Sequence, residues 1–254
     1  DLIIETLKNE EKKFSNLKIF ITKNINLSAS RNIGLTKCTG NLVLQTDDDA
    51  RPFPDWIERI VEAHKKYPDV GVIGGDVIDA GGTSYLSQIA DMATFPHHYN
   101  TCEVQSVPGV NSSYKKEVIS QVGQYDETLF RGEDVDYNWR AIKNGWKVVY
   151  IPEIKVYHVH RPTWNGLLKQ HYMYGRAHFL VRSKWPEMYS TYPRNIDSIY
   201  SFLKWLASWV WFPWQDAFLK SYRMVSQPNG FEFFTLGFIN ISNRIGTSVQ
   251  KNLH

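Results

Sequence analysis

Residues 42–49 read Leu-Val-Leu-Gln-Thr-Asp-Asp-Asp, a short apolar run that ends directly on three aspartates. The run has the length and texture of a buried strand. Three adjacent carboxylates repel one another, and each resists burial unless a cation compensates. A divalent metal with oxygen ligands is the natural compensation. The place also fits, because ligands of open α/β sheets gather outside the carboxyl ends of strands. The plainer alternative is a solvated turn whose aspartates cap the next helix, and the triplet alone leaves both open.

The flanking pattern sets the architecture. Residues Leu2 to Phe14 read as a helix and Lys18 to Thr22 as a strand. Ser28 or Ser30 caps a helix that runs through Leu35 and ends at Gly40. After the acidic triplet, Pro54 suits a first helical turn. Trp56, Ile57, Ile60, Val61 and His64 follow at helical spacing until Pro68. Val70 to Ile73 is a further strand. The order β-α-β-α-β predicts an α/β fold with a mainly parallel sheet flanked by helices. Gly81 to Val107 reads as loop. Gly109 to Lys115 reads as a strand, with a short helix near Val118 to Val122. Glu133 to Asn144 is the best helix, with Val135, Trp139 and Ile142 on one face and Gly145 as its stop. Lys147 to Tyr150 and Lys155 to His158 read as two short strands.

Composition narrows the function class. The 254 residues are 43% hydrophobic and 22% charged, with a net charge of +3. That is ordinary for a packed domain. The charge and the pI of about 8.7 are too mild to indicate nucleic acid. They suit an anionic small ligand or an anionic membrane surface. Cys38 and Cys102 follow no metal or redox spacing and are expected as free buried thiols. No apolar stretch of about 20 residues is present to span a bilayer.

Two further motifs carry chemistry. Arg131-Gly132-Glu133-Asp134-Val135-Asp136 opens the best helix. Acidic residues are common in a first turn for dipole reasons alone. Farther on, His158 and His160 flank Val159, so on a strand both face one side.

The stretch SASRNIGLTKCTGNLVLQTDDDARPFPDWIE, together with VPGVNSSYKKEVISQVGQYDETLFRGEDVDYNWRA, resembles the core of family 2 glycosyltransferases with the GT-A fold. The resemblance implies that Asp47 and Asp49 form the Asp-x-Asp motif, which holds a divalent cation on the donor diphosphate. Asp48 lies between them, and Arg31 and Asn32 are expected near the nucleotide. Asp134 is implied to be the base that takes the acceptor's proton, with Glu133 and Asn111 at the acceptor. The family's metal-binding histidine falls about two dozen residues after the base. That spacing selects His158, with His160 as the alternative. Asp, Asp and His suit Mn²⁺ or Mg²⁺. A carboxylate base opposite a leaving diphosphate implies inversion by single displacement.

The resemblance covers residues 1 to 183, the expected catalytic domain, and implies that the family's first strands and nucleotide-base turn are missing. Residues 184 to 254 are expected as a helical, aromatic-rich extension. Tyr200 to Trp214 holds four of the nine tryptophans. On a helix, Phe202, Trp205, Leu206, Trp209 and Phe212 share one face, and Ser201, Lys204 and Ser208 another. Such an element either lies in a membrane interface or packs on the catalytic domain or a second copy. The reading is a metal-dependent inverting transferase. It uses a nucleotide-sugar donor and a glycan or lipid-linked acceptor, in the cytoplasm or on the cytoplasmic face of a membrane. A nucleotidyltransferase or a non-catalytic glycan- or membrane-binding relative are the alternatives.

Overall fold

The structure is a computed structural model that describes residues 2–23, 25–80, 85–160, 163–188, 198–224 and 230–253. It opens with helices α1 (Leu2–Lys13) and α2 (Leu27–Lys37). Neither expected serine caps α2. Asn26 does, its Oδ1 accepting from the Ala29 amide at 2.9 Å, while Ser28 is buried. Lys18–Thr22 forms no strand. Its ladder has no partner among the described residues, so Phe20 and Ile21 stay exposed. Strand propensity without a neighbour does not make a sheet.

The sheet holds β1 (Leu42–Gln45), β2 (Ala50–Pro52), β3 (Val70–Asp79), β4 (Cys102–Glu103), β5 (Ser112–Lys115) and β6 (Lys147–His158). Its order is β1-β5-β3-β6-β2, with β4 also paired to β6. The α/β architecture is the expected one, but the sheet is mixed. β1, β3 and β6 run the same way, yet β5 enters antiparallel between β1 and β3. Only β3 and β6 therefore meet as a parallel pair among the described strands. The two short strands expected from 147 to 158 are one. Pro152 has no N–H to donate, and the ladder skips there from Ile151 to Lys155 without breaking the strand.

Helix α3 (Trp56–Lys66) covers one face of the sheet, burying Trp56 and Ile60 against Ile73, Val77, Val149 and Ile154. Helices α5 (Lys116–Val122) and α6 (Glu133–Lys143) cover the other, with Tyr114, Tyr125 and Tyr137 packed around Val72, Val148 and Tyr150. These two layers fix the ends of β1 and β6 relative to the start of α6, which is where the chemistry-bearing residues lie. Cys38 is free but exposed, against expectation, and Cys102 is free and half-buried.

Helix α4 (Tyr85–Thr94) lies where the sequence reads as loop. Leu86, Ile89, Ala90 and Ala93 follow the helical period, and they pack with α7 (Trp164–Lys184), α9 (Phe212–Met224) and α10 (Gly230–Asn252). The helices beyond residue 184 thus share a core with α4 and α7. Helix α8 (Ile199–Val210) buries the serine side and leaves part of the aromatic side exposed. Ser201 and Ser208 point inward, and Ser208 accepts from the buried Arg244 Nε at 3.0 Å. Phe202, Leu203, Leu206, Val210 and Trp211 are exposed.

Candidate active site

The register of a short antiparallel pair builds the first half of the site. β2 pairs with the end of β6 so that Ala50 lies opposite His158. The residue before Ala50 is Asp49, and the Val159 amide donates to its carbonyl at 3.3 Å. The Asp47–Asp49 turn is thereby carried from the end of β1 to the end of β6. Asp49 Oδ1 and His158 Nε2 come to face each other at 3.4 Å.

Arg31 of α2 joins this half to α6. Its guanidinium donates to Asp47 Oδ1 at 3.1 Å and to Glu133 Oε1, and it lies beside the Tyr125 ring. Arg31 and Glu133 side chains are 9% and 6% exposed, so this is a buried pair. Burial opposes the charge on Arg31, but Glu133, Asp134 and Asp47 outweigh it and hold the guanidinium above its ordinary pKa. Burial pushes the Glu133 carboxyl up, and the charge of Asp134 adds to that, while Arg31 works against both.

Asp134 sits in the first turn of α6. The helix starts abruptly because Gly132 takes φ +79°, a left-handed conformation that side chains disfavour. Asp134 Oδ1 accepts from the Val135 amide at 2.8 Å, and Oδ2 accepts from the Gly109 amide at 2.9 Å. Each oxygen keeps a further lone pair. A Cβ at Gly109 would stand 2.8 Å from the Arg31 guanidinium and 2.9 Å from Gln45 Nε2, so a side chain there would push both aside. Gln45 Nε2 donates to the Gly109 carbonyl at 2.7 Å, tying the end of β1 to the same turn.

His158 and His160 do lie together, with ring centroids 4.9 Å apart, and both pack on Phe95. Their partners differ. His160 is bound through Nε2 to Asp91 Oδ1 at 2.9 Å, whereas His158 turns Nε2 toward Asp49. Burial lowers the pKa of His158, with Asp49 pulling the other way. A neutral ring is the form that ligates metal.

A cavity of about 200 Å³ gathers Arg31, Asp47, Asp49, Glu133, Asp134 and His158. Three of the expected residues are outside it. Asp48 does not line it and is exposed. Asn32 is spent on the Tyr125 backbone, accepting at 2.7 Å and donating at 3.0 Å, and on Glu127 at 2.8 Å. Asn111, expected at the acceptor, is fully buried. It accepts from Trp56 Nε1 at 2.8 Å and donates to the Asp76 and Ile154 carbonyls at 2.8 and 2.9 Å. Asn32 and Asn111 hold the backbone that positions the site. Their hydrogen-bonding groups are already occupied, which sequence spacing cannot reveal. Sequence reading missed Gly109, Arg131 and Tyr174 of the cavity wall, and Asp91 behind His160. Arg131 and Gly109 stood inside the recognised motifs. Asp91 and Tyr174 carried no local signal.

The donor set suits a hard divalent cation, with carboxylates and a neutral imidazole on one cavity wall. Among the described residues, no three His, Cys, Asp or Glu side chains already converge on one point. Asp49 and His158 face each other, while Asp47 is held by Arg31.

Comparison with known proteins agrees with this architecture. Over 160 residues the chain is 29% identical to a pre-mycofactocin glycosyltransferase of Mycobacterium tuberculosis, covering 58% of this chain and 33% of that protein. Over 177 residues it is 28% identical to a glucosyl-dolichyl phosphate glucuronosyltransferase of Haloferax volcanii, covering 58% of this chain and 56% of that protein. The chain thus spans from a third to a little over half the length of these relatives. Among solved structures, a mannosyltransferase from Pyrobaculum calidifontis, in complex with GDP-Man and Mn²⁺, superposes with a TM-score of 0.60 at 14% identity. The match covers 98% of this chain and 73% of that one, and the shared fold is GT-A. The profile described as glycosyl transferase family group 2 matches residues 42–241, and the chain belongs to that family.

Proposed function

We propose that this protein transfers a sugar, with inversion, from a nucleotide-sugar donor to a hydroxyl of a glycan or lipid-linked acceptor, using Mn²⁺ or Mg²⁺. The observation that carries the reading is the shared cavity. The Asp134 carboxylate, which accepts from two backbone amides, lines it together with Asp47, Asp49 and His158. Family membership supports the same class of reaction.

The acceptor oxygen attacks the anomeric carbon as its proton passes to Asp134. The bond from that carbon to the donor's diphosphate oxygen breaks on the opposite face. One displacement inverts the centre. The helix start and the Gly109 and Val135 amides hold the Asp134 carboxylate in place, and proton transfer runs together with attack. Arg31 and Arg131 offer positive charge to the donor phosphates, and Arg31 also keeps Asp47 in place. Asp49 and His158 are the protein's ligands for the cation, and Asp47 is available if it leaves Arg31. When bound, the cation supplies Lewis-acid stabilisation of the leaving diphosphate.

The two ligand substitutions have a direct readout. Asp49→Ala and His158→Ala should each weaken nucleoside diphosphate binding in the presence of Mn²⁺, by about 10-fold or more, with little change in its absence. Calorimetry with and without the metal measures this. Unchanged metal dependence in His158→Ala moves the ligand to His160 or to water. Release of free nucleoside diphosphate from a nucleotide sugar separates a glycosyltransferase from a nucleotidyltransferase or a binding module.

The exposed side of α8 supports attachment to a membrane surface. Phe202, Leu206 and Trp211 face outward, and aromatic rings of this kind favour a boundary between apolar and wet surroundings. No helix among the described residues is long and apolar enough to cross a bilayer. The protein should float with anionic liposomes, and Phe202→Ser with Leu206→Ser should abolish flotation without lowering the melting temperature. Wild-type protein that stays in the soluble fraction refutes the attachment.

A further inference from the structure

Gln45 ends β1 just before the Asp47–Asp49 turn, and it does not line the cavity of about 200 Å³. Its half-buried side chain joins two groups instead. Nε2 donates to the Gly109 carbonyl at 2.7 Å, and Oε1 accepts from the Tyr125 hydroxyl at 2.9 Å. The Gly109 amide in turn donates to Asp134 Oδ2 at 2.9 Å. A chain of contacts thus runs from the Tyr125 phenol through the Gln45 amide and Gly109 to the Asp134 carboxylate. The second donor to Asp134 is the Val135 amide of the same helix. Gly109 is therefore the contact that ties the carboxylate to the sheet side of the cavity.

The direction of the chain follows from chemistry. Burial holds the Tyr125 phenol well above its ordinary pKa, so the group stays a hydroxyl. Its O–H needs an acceptor, and the Gln45 carbonyl oxygen supplies one. That orients the amide, because only its other end carries hydrogens. This end meets the Gly109 carbonyl. Tyr125 is itself held, its ring stacked on Tyr137 with centroids 4.3 Å apart and its amide donating to Asn32 Oδ1 at 2.7 Å. Ser112 Oγ also donates to the Gly109 carbonyl, but at 3.3 Å, so Gln45 makes the shorter bond.

Resting on the transferase reading above, we infer that Gln45 is a positioning residue, which through Gly109 sets where the Asp134 carboxylate stands relative to the Asp47–Asp49 turn. Gln45 and Asp47 belong to one short stretch at the end of β1. The base is thereby referenced to the strand that leads into the aspartates. Tyr125 serves the same purpose one step removed, by keeping the Gln45 amide turned toward Gly109. A reacting group misplaced by about 1 Å can cost ~10²-fold in rate, so a partial loss of this restraint is measurable.

Pro108-Gly109 is the one Pro-Gly step in the sequence. Labelling the full chain with ¹³C in the proline carbonyl and ¹⁵N in glycine therefore gives a single amide correlation by NMR, that of Gly109. A hydrogen bond to a carboxylate moves an amide proton downfield, and Asp134→Ala, which removes the acceptor, marks the position of the unbonded amide. The Gly109 proton is expected downfield in wild type and shifted toward the Asp134→Ala position in Gln45→Met and in Tyr125→Phe. The first variant keeps the length of the side chain without its donor, and the second keeps the ring but lets the amide turn. Gln45→Met should also lower kcat for nucleoside diphosphate release by about 10-fold. It should leave the KM for the nucleotide sugar, and UDP or GDP binding with Mn²⁺, unchanged. A Gly109 proton that stays in place in both variants overturns the inference, whatever happens to the melting temperature. So does an unchanged kcat in Gln45→Met when wild type turns over. A proton that moves as expected, in a chain whose wild type neither binds nor releases nucleoside diphosphate, sinks the transferase reading and leaves the placement of Asp134 by Gln45 standing.

Discussion

Asp134→Asn is expected to abolish sugar transfer while nucleoside diphosphate still binds with Mn²⁺. The amide has nearly the shape of the carboxylate but no basicity, so the acceptor proton has no place to go as the new bond forms. Loss of a general base lowers the rate by a factor on the order of 10²–10⁴. A structural penalty comes with it. The native carboxylate accepts from the Gly109 and Val135 amides, and an amide nitrogen must now face one of them. That mismatch costs about 1 kcal/mol at this half-exposed position and reads as a small drop in melting temperature. Turnover within a few-fold of wild type in a folded Asp134→Asn enzyme removes Asp134 from the base role.

Arg31→Gln should produce the largest loss of stability. The guanidinium bonds to Glu133 and Asp47, and both Arg31 and Glu133 are nearly excluded from water. Removing one partner of a buried pair typically costs about 3–5 kcal/mol, because the remaining charge is stranded. In a chain of this size that is a fall of roughly 6–20 °C in melting temperature. The loss has a pH signature with a definite sign. Glu133 already binds its proton more tightly in the folded state than an ordinary carboxyl, through burial and then Asp134. Without Arg31 that shift grows. A carboxyl raised on folding destabilises the folded state once it must ionise, so the penalty shrinks toward low pH. The gap between wild type and Arg31→Gln should therefore be wider at pH 8 than at pH 6, growing above about pH 7, where Glu133 ionises beside Arg31 in the wild type and stays protonated in the variant. Adding Glu133→Gln should return part of the stability, since the stranded charge is gone. An Arg31→Gln protein that melts with wild type at both pH values contradicts the buried pair.

The comparison between sequence and structure turns on what a local pattern can carry. The apolar strand into Asp47-Asp48-Asp49 and the Gly-Glu-Asp start of α6 were legible. Each is a change of chemistry at a boundary within a few residues. Their spacing, with the resemblance they carry, was enough for an α/β fold and for Asp134 and Asp49 as candidates. Helix α4 was missed, because the loop texture around it masked the helical period of Leu86, Ile89, Ala90 and Ala93.

Other features lay beyond any local pattern because they depend on what comes from elsewhere in the chain. Insertion of β5 between β1 and β3 made the sheet mixed, and only long-range pairing determines a strand's neighbours. Asn111 and Asn32 look like polar residues free for a ligand, yet tertiary contacts to Trp56, Ile154 and Tyr125 had already claimed their hydrogen bonds. His158 and His160 share one side of the strand, and only the spacing implied by the resemblance selects His158. Asp91, about seventy residues earlier in the chain, takes one of them, and the β2–β6 register gives Asp49 to the other. On α8 Ser201 and Ser208 are buried, with Arg244 of α10 donating to Ser208 and lying over the Trp209 ring, while Phe202 and Leu206 of the aromatic set stay exposed. Periodicity states which residues share a side. Which side is covered is decided by the surface that arrives to meet it.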